Sequence, residues 1–225
     1  MEIHIITAFP QMFQSTFNES IIKRAQEKNH AKIVLHDLRK WTTDVHKSID
    51  NKPYGGGAGM ILMLDPIYKA VKEIKASLKG LNTKVLLTSA KGTQYNQRLA
   101  REFSHVDVLI IICGHYEGVD ERVAEHLCDY ELSIGKFVLT GGEIPAMLIA
   151  DSVIRLIPGV LGNDQSLAQE SYSDENDQEA PHYTRPSVFT SDLGEVWSVP
   201  ETLLNGNHKE IDDWRAQNST LAEDS

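Results

Sequence analysis

The run Val106-Asp107-Val108-Leu109-Ile110-Ile111-Ile112-Cys113 is apolar at every position but Asp107. A strand with one wet face alternates polar and apolar residues, whereas an unbroken apolar run of this kind is a strand covered on both faces. Such a strand belongs inside a parallel sheet with helices packed above and below. The surrounding chain supplies the other parts. Ile3 to Phe9, Lys32 to Leu38, Lys84 to Ser89 and Tyr130 to Ile134 read as strands. Met12 to Asn29 has helical spacing, with Phe13, Phe17, Ile21, Ile22 and Ala25 on one face. Asp65-Pro66 reads as an N-cap with proline at the first helical position, opening a helix to about Leu78. Further helices are expected over Tyr95 to Phe103, Asp120 to Cys128 and from Gly141-Gly142 to Leu156. Strands that alternate with helices predict an α/β domain with a mostly parallel sheet.

After Pro158 the pattern stops. An acidic stretch follows, ending in Asp174-Glu175-Asn176-Asp177-Gln178-Glu179, and then a short tail with a helix near His208 to Gln217. The 225 residues are therefore read as a main domain over 1–160, a linker over 161–179 and a small helical C-terminal domain over 180–225. The formal net charge of −10 argues against a nucleic-acid partner unless a local basic patch offsets it. Cys113 and Cys128 form no CxxC pair, so neither a disulfide framework nor a zinc site is expected, and no residue is assigned as a metal ligand. Met1-Glu2-Ile3-His4 lacks the basic flank of a signal peptide, and no apolar run is long enough to span a bilayer. The expected setting is the cytoplasm, away from membranes.

Three glycine-rich segments are the candidate site: Pro53 to Met60, Cys113 to Gly118, and Ser133 to Pro145. Glycine allows positive φ and lets backbone approach a ligand closely, and open α/β sheets bind ligands beyond the carboxyl ends of their strands. Two of the segments fall at such ends, which suggests a nucleotide-like ligand held by backbone groups. None gives GxGxxG. Gly135-Lys136 resembles the end of a P-loop, but Tyr130 stands where that motif needs its earlier glycine. HExxH, GxSxG and kinase signatures do not occur, so dehydrogenase and NTPase readings are disfavoured.

In this order the segments resemble the TrmD family of bacterial tRNA (guanine-N1)-methyltransferases. The likeness extends through Cys113 to Arg122, Ser133 to Ala146, Arg155 to Leu161, Pro181 to Pro186, Val199-Pro200-Glu201, Asn205 to His208 and Trp214-Arg215. It implies the SPOUT fold, an α/β domain with a deep trefoil knot, and a homodimer whose active sites are shared between subunits. It implies S-adenosylmethionine as methyl donor, magnesium as a requirement for activity, and the anticodon stem-loop of tRNA as partner, methylated on N1 of the guanosine 3′ of the anticodon. Carried onto this sequence, the cofactor pocket comprises Leu87, Thr88, Ser89, Ala90, Gly114, Tyr116, Glu117, Ser133, Ile134, Gly135, Phe137, Leu139, Thr140, Gly141, Gly142 and Pro145. Substrate contacts fall to Glu117, Tyr54, His182, Tyr183, Arg185, Asn207 and His208.

Guanine N1 holds a proton at neutral pH, so its methylation needs a base for that proton and a cation for the charge growing on O6. The resemblance implies Arg155 as the cation. It implies Glu170 as the base, in a Glu170-Ser171-Tyr172 run where the family generally has aspartate before Ser-Phe. Lys136 likewise replaces a usual aspartate, and Ser89-Ala90-Lys91-Gly92 departs from Ser-Pro-Gln-Gly. A SPOUT methyltransferase acting on another RNA site, or a non-catalytic RNA-binding relative, are the alternative readings.

Overall fold

The structure, a computed structural model, describes residues 1–161, Tyr172 and residues 177–221. The chain clusters into two compact units, Met1–Gly162 and Asn163–Ser225.

The first unit contains strands β1 (Glu2–Thr7), β2 (Lys32–Asp37), β3 (Asp50–Asn51), β4 (Ile61–Leu62), β5 (Thr83–Gln94), β6 (Val108–Cys113) and β7 (Tyr130–Ser133). Its helices are α1 (Gln14–Phe17), α2 (Ser20–Glu27), α3 (Leu64–Ser77), α4 (Gln97–Ser104), α5 (Glu121–Leu127) and α6 (Glu143–Ile154). The central sheet has the order β2-β1-β6-β5-β7, and every neighbouring pair is parallel. All of β6 is buried. Its Leu109, Ile111 and Cys113 join one core with Phe13, Phe17, Ile22, Phe103, Ile149 and Val153, whereas Val108, Ile110 and Ile112 join a second with Ile67, Ala70, Ile74 and Val123. The sheet is thus covered on both faces, by α1, α2, α4 and α6 on one side and by α3 and α5 on the other.

Several local expectations are corrected. The helix expected over Met12 to Asn29 is a 3-10 turn at Pro10–Phe13 followed by α1 and α2, broken at Asn18 and at Ser20, whose φ is 50°. Side chains satisfy the freed carbonyls: Asn18 Nδ2 donates to Gln14 O at 2.7 Å and Gln26 Nε2 to Phe17 O at 2.8 Å. The apolar face survives the break because Phe13, Phe17, Ile22 and Ala25 are all buried. Asp65 is not a cap. Helix α3 begins at Leu64, and Asp65 lies in its first turn, where a carboxylate suits the helix dipole and where it pairs with Lys69 at 2.7 Å.

Strand β5 continues beyond Ser89. It pairs with β7 as far as Thr88↔Leu132, leaves the ladder, and rejoins it at Thr93↔Leu132 and Gln94↔Ser133. The departing residues Ser89 to Gly92 make a lip beside the end of β7.

The second unit is not purely helical. Its described residues hold β8 (Asp177–Gln178), β9 (Val188–Thr190), β10 (Val196–Ser198), β11 (Thr220–Leu221), a 3-10 turn at Glu201–Leu203 and the α-helix α7 (His208–Asn218). Strands β9 and β10 form an antiparallel hairpin, and β8 pairs with β11. The hairpin follows from β-branched and aromatic residues flanking Ser191-Asp192-Leu193-Gly194, where Ser191 Oγ accepts from Leu193 N at 3.3 Å and Glu195 N at 3.2 Å. Among the described residues, no helix is long and apolar enough to cross a membrane.

Candidate active site

At the carboxyl ends of β5, β6 and β7 the three glycine-rich segments interlock. Met60 O accepts from Glu117 N at 3.0 Å, and Leu62 N donates to Gly118 O at 3.0 Å. Isolated bridges join Ile61 to Tyr116 and His115 to Gly141. Gly142 N donates to Gly114 O at 2.6 Å. Tyr116 holds a φ of 60°, an uncommon conformation for a bulky residue and one that clusters at ligand sites.

Gly142 is required by space, and Gly59 by its φ of 80°. A Cβ on Gly142 would lie 2.7 Å from Gly114 N and 3.0 Å from Cys113 Cα, and would run into Thr88 Oγ1. A Cβ on Gly59 would lie 2.7 Å from the carboxyl carbon of Glu117, so the first segment runs close beside that side chain.

The second and third segments, with Leu87 to Lys91, enclose a cavity of about 420 Å³, while the first segment is bonded to the second outside its lining. Of the expected cofactor residues, Leu87, Thr88, Ser89, Ala90, Gly114, Tyr116, Glu117, Ser133, Ile134, Phe137, Leu139, Thr140, Gly141, Gly142 and Pro145 line it. Gly135 does not. Its carbonyl accepts from Ser133 Oγ at 2.9 Å, which shapes the turn that brings Ile134 and Phe137 to the wall. The volume lies within the usual range for small-molecule sites, and the lining mixes apolar side chains with backbone groups, as an adenosine-bearing ligand needs.

The wall also carries charged residues that the glycine pattern did not flag. Glu121 and Glu131 join Glu117, and Lys91 on the lip pairs with Glu121 and lies 3.9 Å from Glu131 Oε1. The Glu121 carboxylate holds the Lys91 ammonium above its ordinary range. Three carboxylates face one lysine, a balance that suits a cationic ligand. Beneath the loop, Glu143 is buried at the first position of α6. Its Oε1 accepts from Thr7 Oγ1 at 2.8 Å, and its Oε2 lies 3.3 Å from His115 Nδ1. The helix dipole favours a carboxylate there. Glu143 stands within the third glycine-rich segment and could have been singled out from it. Glu131, inside a short strand, gave no such signal, because an acid between apolar residues reads as an outward face.

Arg155 is half-buried and caps the C-terminus of α6, its N bonded to Asp151 O at 3.2 Å; it is not among the residues lining the cavity. Glu170 lies outside the described residues. Tyr54 is fully exposed before Gly55, Gly56 and Gly57, all of positive φ. In the second unit His182, Tyr183 and Arg185 line a shallow depression with Trp214 and Arg215. Tyr183 and Trp214 meet edge to face at 6.3 Å, and His182 Nε2 lies 3.0 Å from Glu179 Oε2. Asn207 and His208 stand apart from that depression at the start of α7, where Asn207 Nδ2 donates to Glu210 Oε1 at 2.8 Å.

Comparison with known proteins extends the geometry. The family model described as tRNA (Guanine-1)-methyltransferase TrmD matches residues 1–223. A tRNA (guanine-N(1)-)-methyltransferase of Dehalococcoides mccartyi is 50% identical over 219 residues, 97% of this chain and 86% of that protein. One from Carboxydothermus hydrogenoformans is 50% identical over 221 residues, 98% of this chain and 83% of its own length. One from Clostridioides difficile is 46% identical over 219 residues, 97% of this chain and 92% of its own.

Proposed function

From the premise that the chain belongs to the tRNA (guanine-1)-methyltransferase TrmD family, we propose how its residues carry out that reaction. The protein is a tRNA (guanine-N1)-methyltransferase, and it takes its methyl group from S-adenosylmethionine. The target is the guanosine 3′ of the anticodon, and the enzyme works in the cytoplasm. The observation that carries the reading is the cavity itself: two glycine-rich segments and the end of β5, from distant parts of the chain, close on one space lined by nearly every expected cofactor residue.

The residues present fit the cofactor. Gly114 and Gly142 leave room only for backbone, Ile134 and Leu139 offer apolar surface for adenine, and the carboxylates of Glu117, Glu121 and Glu131 offset positive charge. When bound, the cofactor supplies a methyl group on a cationic sulfonium, which keeps the electron pair of the broken S–C bond. Glu170 takes the N1 proton of guanine, so that the freed N1 electron pair forms the new N–CH₃ bond. Arg155 faces the negative charge that grows on O6. Glu117, whose N is bonded to Met60 O, orients the guanine edge. Tyr183, Arg185 and Trp214 hold the stem-loop, with Arg185 on phosphate and the aromatic rings against bases. The guanosine leaves its stack to reach the cavity.

We assign the trefoil knot of the SPOUT fold to this chain. Its support is the tight passage of Gly141-Gly142 against Cys113-Gly114 beside Thr88, with no space for a side chain between them. The enzyme acts as a homodimer. Its support is exposed apolar surface at Ile144 and Leu148 on α6, at Phe137 and Val138 beside the cavity, and at Met12. Magnesium is required for turnover. Among the described residues no three His, Cys, Asp or Glu side chains come together to hold it, and magnesium commonly completes its shell with substrate phosphates and water.

The deciding experiment incubates the protein with S-adenosylmethionine, magnesium and tRNA transcripts bearing guanosine or adenosine at the target. Recovery of N1-methylguanosine from the guanosine transcript alone is expected. Methylation at another position would reject the assigned target. Glu170→Gln should lower turnover by about 10²–10⁴-fold, and an unchanged rate would remove Glu170 from the role of base.

A further inference from the structure

We propose that Glu131 binds the cofactor's ribose, its Oε1 accepting a hydrogen bond from a ribose hydroxyl while Lys91 donates to the same hydroxyl. The inference rests on the reading of the cavity as the S-adenosylmethionine site. Among the described residues, Glu131 Oε1 is the one buried side-chain nitrogen or oxygen without a hydrogen-bond partner. Leaving a charged acceptor in that state is costly, so such an atom in a native structure calls for a ligand. This one belongs to a residue on the wall of the cavity.

The side chain has a fixed base. Glu131 pairs with Leu87 across the β5–β7 ladder, and the lip backbone lies so close that a Cβ on Gly92 would come within 2.5 Å of the Glu131 carbonyl. The nearest cation is Lys91, whose Nζ is 3.9 Å from Oε1, beyond hydrogen-bond reach, and which is bonded to Glu121 instead. An acceptor and a donor therefore stand side by side on the wall without meeting.

The chemistry of that pair selects the ligand group. The cofactor's ammonium and its adenine amino group donate only, and either would set hydrogens against those of Lys91. A hydroxyl donates and accepts, so it alone can satisfy Glu131 and Lys91 together. A carboxylate on a ribose hydroxyl is also how dinucleotide-binding sheets hold their nucleosides. Lys91 stands where the family pattern usually has glutamine, so the charged pair is a feature of this chain.

The test is calorimetric titration of the full-length protein with S-adenosylhomocysteine and with its 2′-deoxy and 3′-deoxy analogues, which needs no turnover. The unsubstituted protein should bind one of the deoxy analogues about tenfold or more weakly. Glu131→Ala should weaken S-adenosylhomocysteine by a similar factor and bind that analogue no worse than the parent compound. Glu131→Gln, which keeps an acceptor, should recover part of the loss. Equal binding of all three compounds by the unsubstituted protein overturns the proposal without any variant, and so does an equal loss for all three in Glu131→Ala. Should Glu131→Ala not fold, the exposed Lys91→Met serves in its place and should also blunt the discrimination. No binding of S-adenosylhomocysteine at all would reject the cofactor reading, a result distinct from binding without discrimination.

Discussion

The two units of this chain hide very different amounts of themselves from water. In the first, every residue of β6 is buried, and two apolar cores press on the sheet from opposite sides. In the second, Ala180 is the one buried residue among those described, while Phe189, Val196, Trp197 and Leu204 stand exposed. A unit with interleaved cores can hold a loop to within a few tenths of an ångström, as Gly142 requires. The described part of the second unit, two-stranded ladders, a 3-10 turn and an α-helix, has little packing to fix its shape. Sulfonium chemistry needs the first property. Gripping a folded RNA tolerates the second, because phosphate and stacking contacts accept small adjustments.

If that division holds, substitutions in the first unit should strike chemistry or cofactor binding, and substitutions over residues 180–221 of the second, apart from the base Glu170 that precedes them, should strike RNA affinity alone. Within the first unit, the largest effect is expected for Arg155→Ala. Turnover under saturating tRNA and cofactor should fall by about 10²–10³-fold, with S-adenosylhomocysteine affinity within about twofold of the parent. A comparable fall in RNA affinity with turnover preserved would place Arg155 with the grip. Next comes Gly142→Ala, where the added Cβ meets backbone and cannot be relieved by a rotamer. Overpacking of this kind costs about 1–3 kcal/mol, so the thermal midpoint should drop and cofactor binding should weaken sharply. A variant with an unchanged midpoint and affinity would show that the passage is looser than its geometry.

The first unit was also the more legible one, and the reason is physical. Its strands are buried on both faces, so their composition declares them, and Val108 to Cys113 could be placed from sequence alone. The glycine segments announced loops at strand ends, but neither their mutual bridges nor the close packing of Gly141-Gly142 on Gly114 has a local signature, because both depend on contacts distant in sequence. The break at Ser20 went unread for a related reason: the apolar face continues across it, and side-chain bonds from Asn18 and Gln26 stand in for the lost helix. Glu131 and Lys91 were passed over because charge in a short strand or loop reads as solvent-facing. In the second unit the turn at Ser191 to Gly194 was present in the sequence, but thinly buried strands lack the apolar contrast that would have called attention to β9 and β10.

Trp214→Ala tests the second half of the comparison. Trp214 lines the depression with Tyr183 and Arg185. Losing one stacking platform is worth about 1–3 kcal/mol per base, so tRNA affinity should fall by about tenfold while S-adenosylhomocysteine affinity holds. An equal loss of cofactor binding would mean that the two units do not divide the work.

The smallest effect is a dependence of stability on pH seated in the first unit, at the start of the sheet and away from the cavity. His4 and His36 stack at 5.1 Å, with His4 Nδ1 2.9 Å from His36 Nε2 and His4 Nε2 3.1 Å from Glu2 Oε2. With both rings neutral the bonds run one way: His36 donates to His4, and His4 donates to Glu2, which also accepts from Lys32. Burial, helped by His4 and Lys40 and opposed by Glu73, pushes His36 down to about 4. A folded-state value below the unfolded one favours the neutral ring, so this contribution is complete above about pH 6.5 and is lost as pH falls through about 4. Urea unfolding at pH 7 and at pH 4.5 should differ, and His36→Gln should reduce the difference by about 1–2 kcal/mol, since the ring is partly exposed to solvent. If His36→Gln left the whole difference in place, the acid sensitivity would lie outside the His4–His36 pair.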